Sequence, residues 1–260
     1  MFQRMTAVIV FLGALACVNV MPASSASYQV TIGESTSQPV VGHSLVVRGA
    51  VSGGPVARVI LQNLAGDRWS TIASHAPSAS KYALSASRVG PGALKYRTLA
   101  LNSRGGVLAT SKTVTATWFS WQSIVDTNEA SYNVAVYTGS YSFAGRRYPH
   151  SFDLEVDATT NTVAQFNLHG VCRAVRFSSG YQNDTNGAYT RNVQIRLDGN
   201  LVYNKAIIEN QTSAPVQALS VLGHTQMTWI FAENDGVDHG DTFSNPTIGT
   251  PQALCRTLLS

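Results

Sequence analysis

The stretch DGVDHGDTFSNP, Asp235–Pro246, gathers Asp235, Asp238, His239 and Asp241 in a chain in which only 12% of residues are charged. Glu233 stands just ahead of it. A calcium ion takes roughly 6 to 8 hard oxygen ligands, and Asp235, Asp238 and Asp241 together with backbone carbonyls offer such a set. The spacing is not that of an EF-hand, whose acids recur at every second residue before a glycine. Two other chemistries fit the same residues. Aspartates cap tight turns through their own backbone, and Asp238, His239 and Asp241 also present the hydrogen-bonding groups that a sugar's hydroxyls need.

A second stretch has glycan-binding composition. In SSGYQNDTNGAYTRN, Ser178–Asn192, Tyr181 and Tyr189 flank Gln182, Asn183 and Asp184. Aromatic faces cover the apolar face of a sugar ring, and amides and carboxylates bond its hydroxyls. The segment reads as a long exposed loop, with Tyr181, Asn183 and Tyr189 as candidate contacts and a plain connector as the other reading.

Catalytic constellations are not legible. In FDLEVD, Asp153, Glu155 and Asp157 alternate with Phe152, Leu154 and Val156, which places the three acids on the outward, solvated face of one strand. Glycosidases need paired carboxylates roughly 5 to 9.5 Å apart across a cleft, and such a face supplies none. GHSLV, Gly42–Val46, lacks the last glycine of a nucleophile elbow. No zinc-binding H-E-x-x-H and no phosphate-binding glycine loop occurs. The expectation is a protein that is not an enzyme.

The elements that must carry these residues are strands. From Tyr28 to Thr117, short β-branched runs alternate with period two: SLVVRGA, ARVILQN, WSTIA, YALSA, KYRTLALN and KTVTAT. SGGP, AGD, VGPG and SRGG supply the turns between them. Residues 27–117 are expected to form an immunoglobulin- or fibronectin-like β-sandwich. WFSWQSIVDTNEAS breaks the alternation, so 118–131 reads as a linker, with Trp118 and Trp121 packed between the domains or exposed to grip a sugar. Strands resume over 132–260, as YNVAVY, FDLEVD, VAQFNL, AVRFSS, NVQIRLDGNLVYN and TQMTWIFAE. Asp198-Gly199 predicts a two-residue hairpin, and the face shared by Met227, Trp229 and Phe231 predicts core.

The first 26 residues read as a secretory signal peptide. Arg4 precedes an apolar run from Ala7 to Val18, and Ala23–Ala26 offers a small-residue cleavage site. A spanning helix needs roughly 20 apolar residues, so no membrane insertion is expected after cleavage. In an exported chain Cys172 and Cys255 are expected to form a disulfide, closing a loop of about 80 residues. The net charge is +4, and no Lys/Arg run exceeds Arg146-Arg147, so nucleic acid is not an expected partner.

The second half carries a family resemblance. YSFAGRRYPHSF, FNLHGVCRAVRFSSGYQND, VQIRLDGNLVYNK, LSVLGHTQMTWIF and DGVDHGDTFSNPTI occur in order over Tyr137–Ile248. In this it resembles the NPCBM-type carbohydrate-binding modules, galactose-binding-like jelly rolls of secreted bacterial proteins. It departs from their pattern at Phe243, where a tryptophan is common, and in its two cysteines. The resemblance implies a jelly-roll β-sandwich over 132–260 and a secreted, non-catalytic protein that binds a glycan or cell-wall polysaccharide. The alternative is an envelope or adhesion protein that binds other proteins and has no sugar site.

Overall fold

The computed structural model describes residues 27–77, 80–126, 130–132, 136–154, 162–182, 190–208, 215–233 and 246–259. The leader read in 1–26 lies outside them. The described residues form strands, turns and loops, without a helix, and the all-β expectation holds. The strands make four sheets around two hydrophobic cores.

In the first half, β3 (Leu45–Ser52) pairs with β1 (Gln29–Val30), β2 (Gly33–Glu34) and β6 (Lys81–Ala86). The second sheet runs β5 (Arg68–His75), β4 (Arg58–Ala65), β7 (Gly92–Leu101), β8 (Val107–Thr110), with β9 (Val114–Trp118) also on β7. The alternation read in the sequence is the burial pattern. In β6, Tyr82, Leu84 and Ala86 are buried and Lys81, Ala83 and Ser85 are exposed, as the two-residue repeat of a strand requires. Trp118 is buried in this core, where its indole N–H donates to the Tyr96 hydroxyl at 2.8 Å.

The second half is the sandwich that carries the candidate residues. One sheet runs β12 (Val136–Phe143), β13 (Arg146–Leu154), β20 (Pro246–Cys255), β15 (Cys172–Tyr181), β18 (Gln217–Ser220), with β10 (Ser120–Ser123) also on β20. The other runs β11 (Ala130–Tyr132), β14 (Thr162–Asn167), β19 (Gln226–Glu233), β16 (Thr190–Leu197), β17 (Asn200–Ile208). Phe152, Phe166, Phe177 and Trp229 interlock between them, with the Trp229 ring edge-on to Phe177 at 4.6 Å and to Phe152 at 5.9 Å. Trp229 is core, as its alternation predicts. Asp198 and Gly199 both take positive φ, the two-residue turn expected between β16 and β17.

The segment read as a linker is structured over much of its length. Trp118 closes β9 in the first core, and Ser120–Ser123 form β10 against β20 of the second sandwich. Neither tryptophan stands between the halves as expected. The contact there is made by Arg173, whose guanidinium lies 4.3 Å over the Phe119 ring and donates to Gln38 Oε1 at 2.8 Å.

Strand β20 runs through the middle of its sheet although it contains Pro246, Gly249 and Pro251. Proline cannot donate to a ladder, so it belongs at strand starts, edges and bulges. Pro246 is the first residue. Pro251 sits where pairing lapses on both edges: the register with β15 passes from Ser178↔Gly249 to Arg176↔Gln252, and on the other edge β13 pairs at Thr247 and Ile248 while β10 pairs from Gln252. Gly249 answers a different need. A Cβ there would stand 2.7 Å from Phe143 Cζ and Tyr148 Cδ1, the two rings that stack at 4.1 Å over this point.

Two consequences are measurable. Gly249→Ala should destabilise the fold by about 1–3 kcal/mol, because the stacked rings must move, and a urea titration would show it. The disulfide joins Cys172 to Cys255, the expected pair, at the end of the β15–β20 ladder. Cys172→Ser should lower stability by about 2–4 kcal/mol under oxidising conditions, and wild type in reductant should melt like the variant. Equal melting of the oxidised wild type and the variant would refute this.

Candidate functional site

Successive strands of the second sandwich run in opposite directions, so every second connection returns to the same end. Strands β13 and β15 end there and β20 begins there, so described residues that flank 155–161, 183–189 and 234–245 in sequence lie at that end. Their stems are in register: Tyr181 is opposite Pro246, Gly180 opposite Thr247, and Thr247 opposite Asp153. The two stretches singled out for binding chemistry are thus launched from one end of the molecule, although some 50 residues separate them in sequence. Asn183, Tyr189, Asp235, Asp238, His239 and Asp241 themselves lie outside the described residues, as do Glu155 and Asp157. Among the described residues, no group of three or more His, Cys, Asp or Glu side chains could hold a metal ion.

Two expectations are corrected here. Tyr181 is not an exposed loop residue: it is the last residue of β15, 3% exposed, and belongs to the core. Tyr181 lies four residues after Phe177 in a continuous strand, so the two-residue repeat turns it to the same inward face, and the strand continues past the point where its polar composition suggested a loop. Asp153 does alternate with Phe152, but its face is not solvated, and it is only 2% exposed. The outer face of the sheet is covered at this point by Tyr141 from β12 and Gln182 from the end of β15.

These side chains make a site that the sequence alone did not suggest. The Tyr141 hydroxyl donates to Asp153 Oδ1 at 3.3 Å, and Gln182 Nε2 donates to Asp153 Oδ2 at 2.8 Å. Tyr137 is directly opposite Asp153 in the β12–β13 register and is 51% exposed. Gly139 lies between the two tyrosines along β12, and a Cβ there would meet the Tyr141 ring in ordinary contact at 3.8 Å. Burial holds the Asp153 carboxyl above its ordinary value, while the bonds from Tyr141 and Gln182 oppose that shift. The Tyr141 hydroxyl is pushed up to about 12 by burial and then by the neighbouring Asp153 charge, so it remains a donor at any physiological pH. An exposed aromatic face beside a fixed carboxylate, amide and phenol is the chemistry of hydroxyl-rich ligands. The signal available was VYTGSY, with Tyr137, Gly139 and Tyr141 at strand spacing.

No protein-family model matches the chain, and no curated protein matches it. Solved structures do. The CBM51-2 and INT domains of Clostridium perfringens ZmpB, in complex with GlcNAc, match with a TM-score of 0.40 and 10% identity over 64% of this chain. The chain spans 38% of the length of that structure. The CBM51 of Clostridium perfringens GH95, in complex with methyl-galactose, matches with a TM-score of 0.40 and 11% identity, over 51% of this chain and 99% of that one. The SusE-like protein BT2857 matches with a TM-score of 0.32 and 9% identity, over 88% of this chain and 97% of that one. These are likenesses of one β-sandwich to another, too distant to carry a ligand between proteins.

The buried carboxylate makes a pH prediction. With its folded value raised, the unfolded chain ionises first as pH rises through about 4. The residue's contribution to stability is therefore complete below that pH and falls until the folded carboxyl also ionises. Asp153→Asn removes this dependence. The stability of wild type relative to Asp153→Asn, from urea titrations at a series of pH values, should decline from about pH 4 upward. A difference that stays constant over that range would contradict the assignment.

Proposed function

We propose that this is a secreted, non-catalytic glycan-binding protein, whose second sandwich is a carbohydrate-binding jelly roll carried on an immunoglobulin-like first sandwich. The observation that supports it best is the exposed Tyr137 ring beside the Asp153–Tyr141–Gln182 network, at the end where β15 stops and β20 starts. Tyr137 would cover the apolar face of a sugar, and the loop residues Asn183, Tyr189, Asp238, His239 and Asp241 would bond its hydroxyls. Asp235, Asp238 and Asp241 would hold a structural calcium ion beside that contact. Asp153 would act from beneath, fixing Tyr141 and Gln182 in place. The leader in 1–26 and the disulfide fit an extracellular setting.

The test is binding of the purified chain to a broad array of glycans and cell-wall polysaccharides, with calcium and with chelator. Selective binding is expected. Tyr137→Ala should weaken it by at least about tenfold while changing stability by less than about 0.5 kcal/mol, as a surface substitution does. Loss of binding in chelator would make the acidic loop a metal site, and unchanged binding would refute the calcium assignment. Silence on every glycan in both conditions would overturn the reading in favour of a protein-binding role.

A further inference from the structure

A second concave surface lies on the outer face of the same six-stranded sheet, beside the tip of the β12–β13 hairpin. It is a cleft of about 410 Å³, within the range of small-molecule sites. It uses none of Tyr137, Asp153 or Gln182. Three guanidinium groups line it: Arg146 and Arg147 from the hairpin, and Arg176 from β15. Among the described residues no carboxylate lines it, and none of the three arginines has a salt bridge. Three of the chain's 18 basic residues thus share one cleft without a counter-charge among the described residues.

The cleft follows from the fold. Ala144 and Gly145 both take positive φ, and this tight turn returns the hairpin so that Arg146 and Arg147 project beside the sheet. The floor is the irregular part of β20, where Thr250 is tied by its N–H to Ser151 Oγ and by its hydroxyl to the Pro149 carbonyl. Arg176 is held before any ligand arrives. Its guanidinium stacks at 4.2 Å on the Trp121 ring, and its Nε and Nη2 donate to Gln252 Oε1 at 2.8 and 2.6 Å. A neutral amide leaves its charge uncompensated. Arg146 lies 5.5 Å over the Tyr148 ring. Pro149 and Val216, which is 61% exposed, add apolar wall beside Ser178.

We infer that this cleft binds the carboxylate of an acidic sugar, a uronic acid unit of a polysaccharide. Arginine forks match a carboxylate in a bidentate way. Pro149 and Val216 suit the C–H face of a pyranose ring, which a bare inorganic anion does not offer. A stacked, hydrogen-bonded Arg176 loses little freedom on binding, which favours a specific contact over diffuse attraction. The carboxylated unit docks on different residues from the Tyr137 surface, so its binding does not require that surface.

Calorimetric titration of the purified chain with an oligouronate, with its carboxyl-reduced neutral counterpart and with inorganic polyphosphate tests this. The oligouronate should bind, more weakly as salt rises, and the reduced counterpart should not. The double variant Arg146→Ala/Arg147→Ala, on an exposed hairpin tip, should bind about tenfold more weakly or worse at unchanged melting temperature. Arg176→Lys keeps the charge but loses the stack and the fork, and should also weaken binding. Tyr137→Ala should leave oligouronate affinity within about twofold, so failure of the Tyr137 surface and failure of the cleft are told apart. Equal binding of the reduced oligosaccharide, unchanged affinity in the double variant, or polyphosphate binding as tight as the oligouronate would each overturn the assignment.

Discussion

Strand β20 pairs with β15 along most of its length and changes partner on its other edge, from β13 to β10, around Thr250–Pro251. The second sandwich depends on that arrangement. The disulfide fixes one end of the β15–β20 ladder at Cys172–Cys255, and the Tyr181–Pro246 pair closes the other. Between them the partner change leaves room at Gly249 for Phe143 and Tyr148, which bring the β12–β13 hairpin down onto the sheet. A regular central strand would have no such break, and the hairpin tip would have nowhere to seat.

Both candidate surfaces are consequences of it. Toward Pro246, β13, β20 and β15 remain in register, and their outer face holds Asp153 under Tyr141 and Gln182. Toward Gln252, the sheet and the hairpin diverge, and Arg176 stands between Trp121 and the cleft. The first surface pairs an aromatic ring with neutral donors and one buried acid. The second presents three arginines with no carboxylate beside them among the described residues. A face that holds an acid at one end and three arginines a few residues along suits a ligand with both hydroxyls and carboxylates more than a uniformly neutral or uniformly charged one.

The division between sequence and tertiary structure runs along the range of the interactions involved. Alternating hydrophobicity fixes which residues of β6 or β19 face inward, because a strand's two-residue repeat is a property of the local backbone. Asp198-Gly199 fixes its turn in the same way, and with Cys17 assigned to the expected leader, Cys172 and Cys255 were left as the one expected pairing. All of these were legible. β20 was not, because two prolines and a glycine argue locally against a central strand, and only the gap between its partners accommodates them. Tyr181 was misplaced for a different reason: its direction follows the alternation that begins at Phe177, but the polar composition of SSGYQND hides how far β15 continues, which its pairing with β20 decides.

The sequence by itself determined that the chain is built of strands, where most of them lie, which faces are apolar and which two cysteines join. Tertiary structure decided what covers the outer faces. The alternation places Asp153 opposite the core, but whether that side meets water depends on Tyr141, 12 residues earlier, and Gln182, 29 residues later. Arg176 acquires its stacking ring from Trp121 and its neighbours Arg146 and Arg147 from a separate hairpin. Such contacts join residues far apart in the chain, and their geometry is set by sheet order and register, which no local pattern of residues encodes.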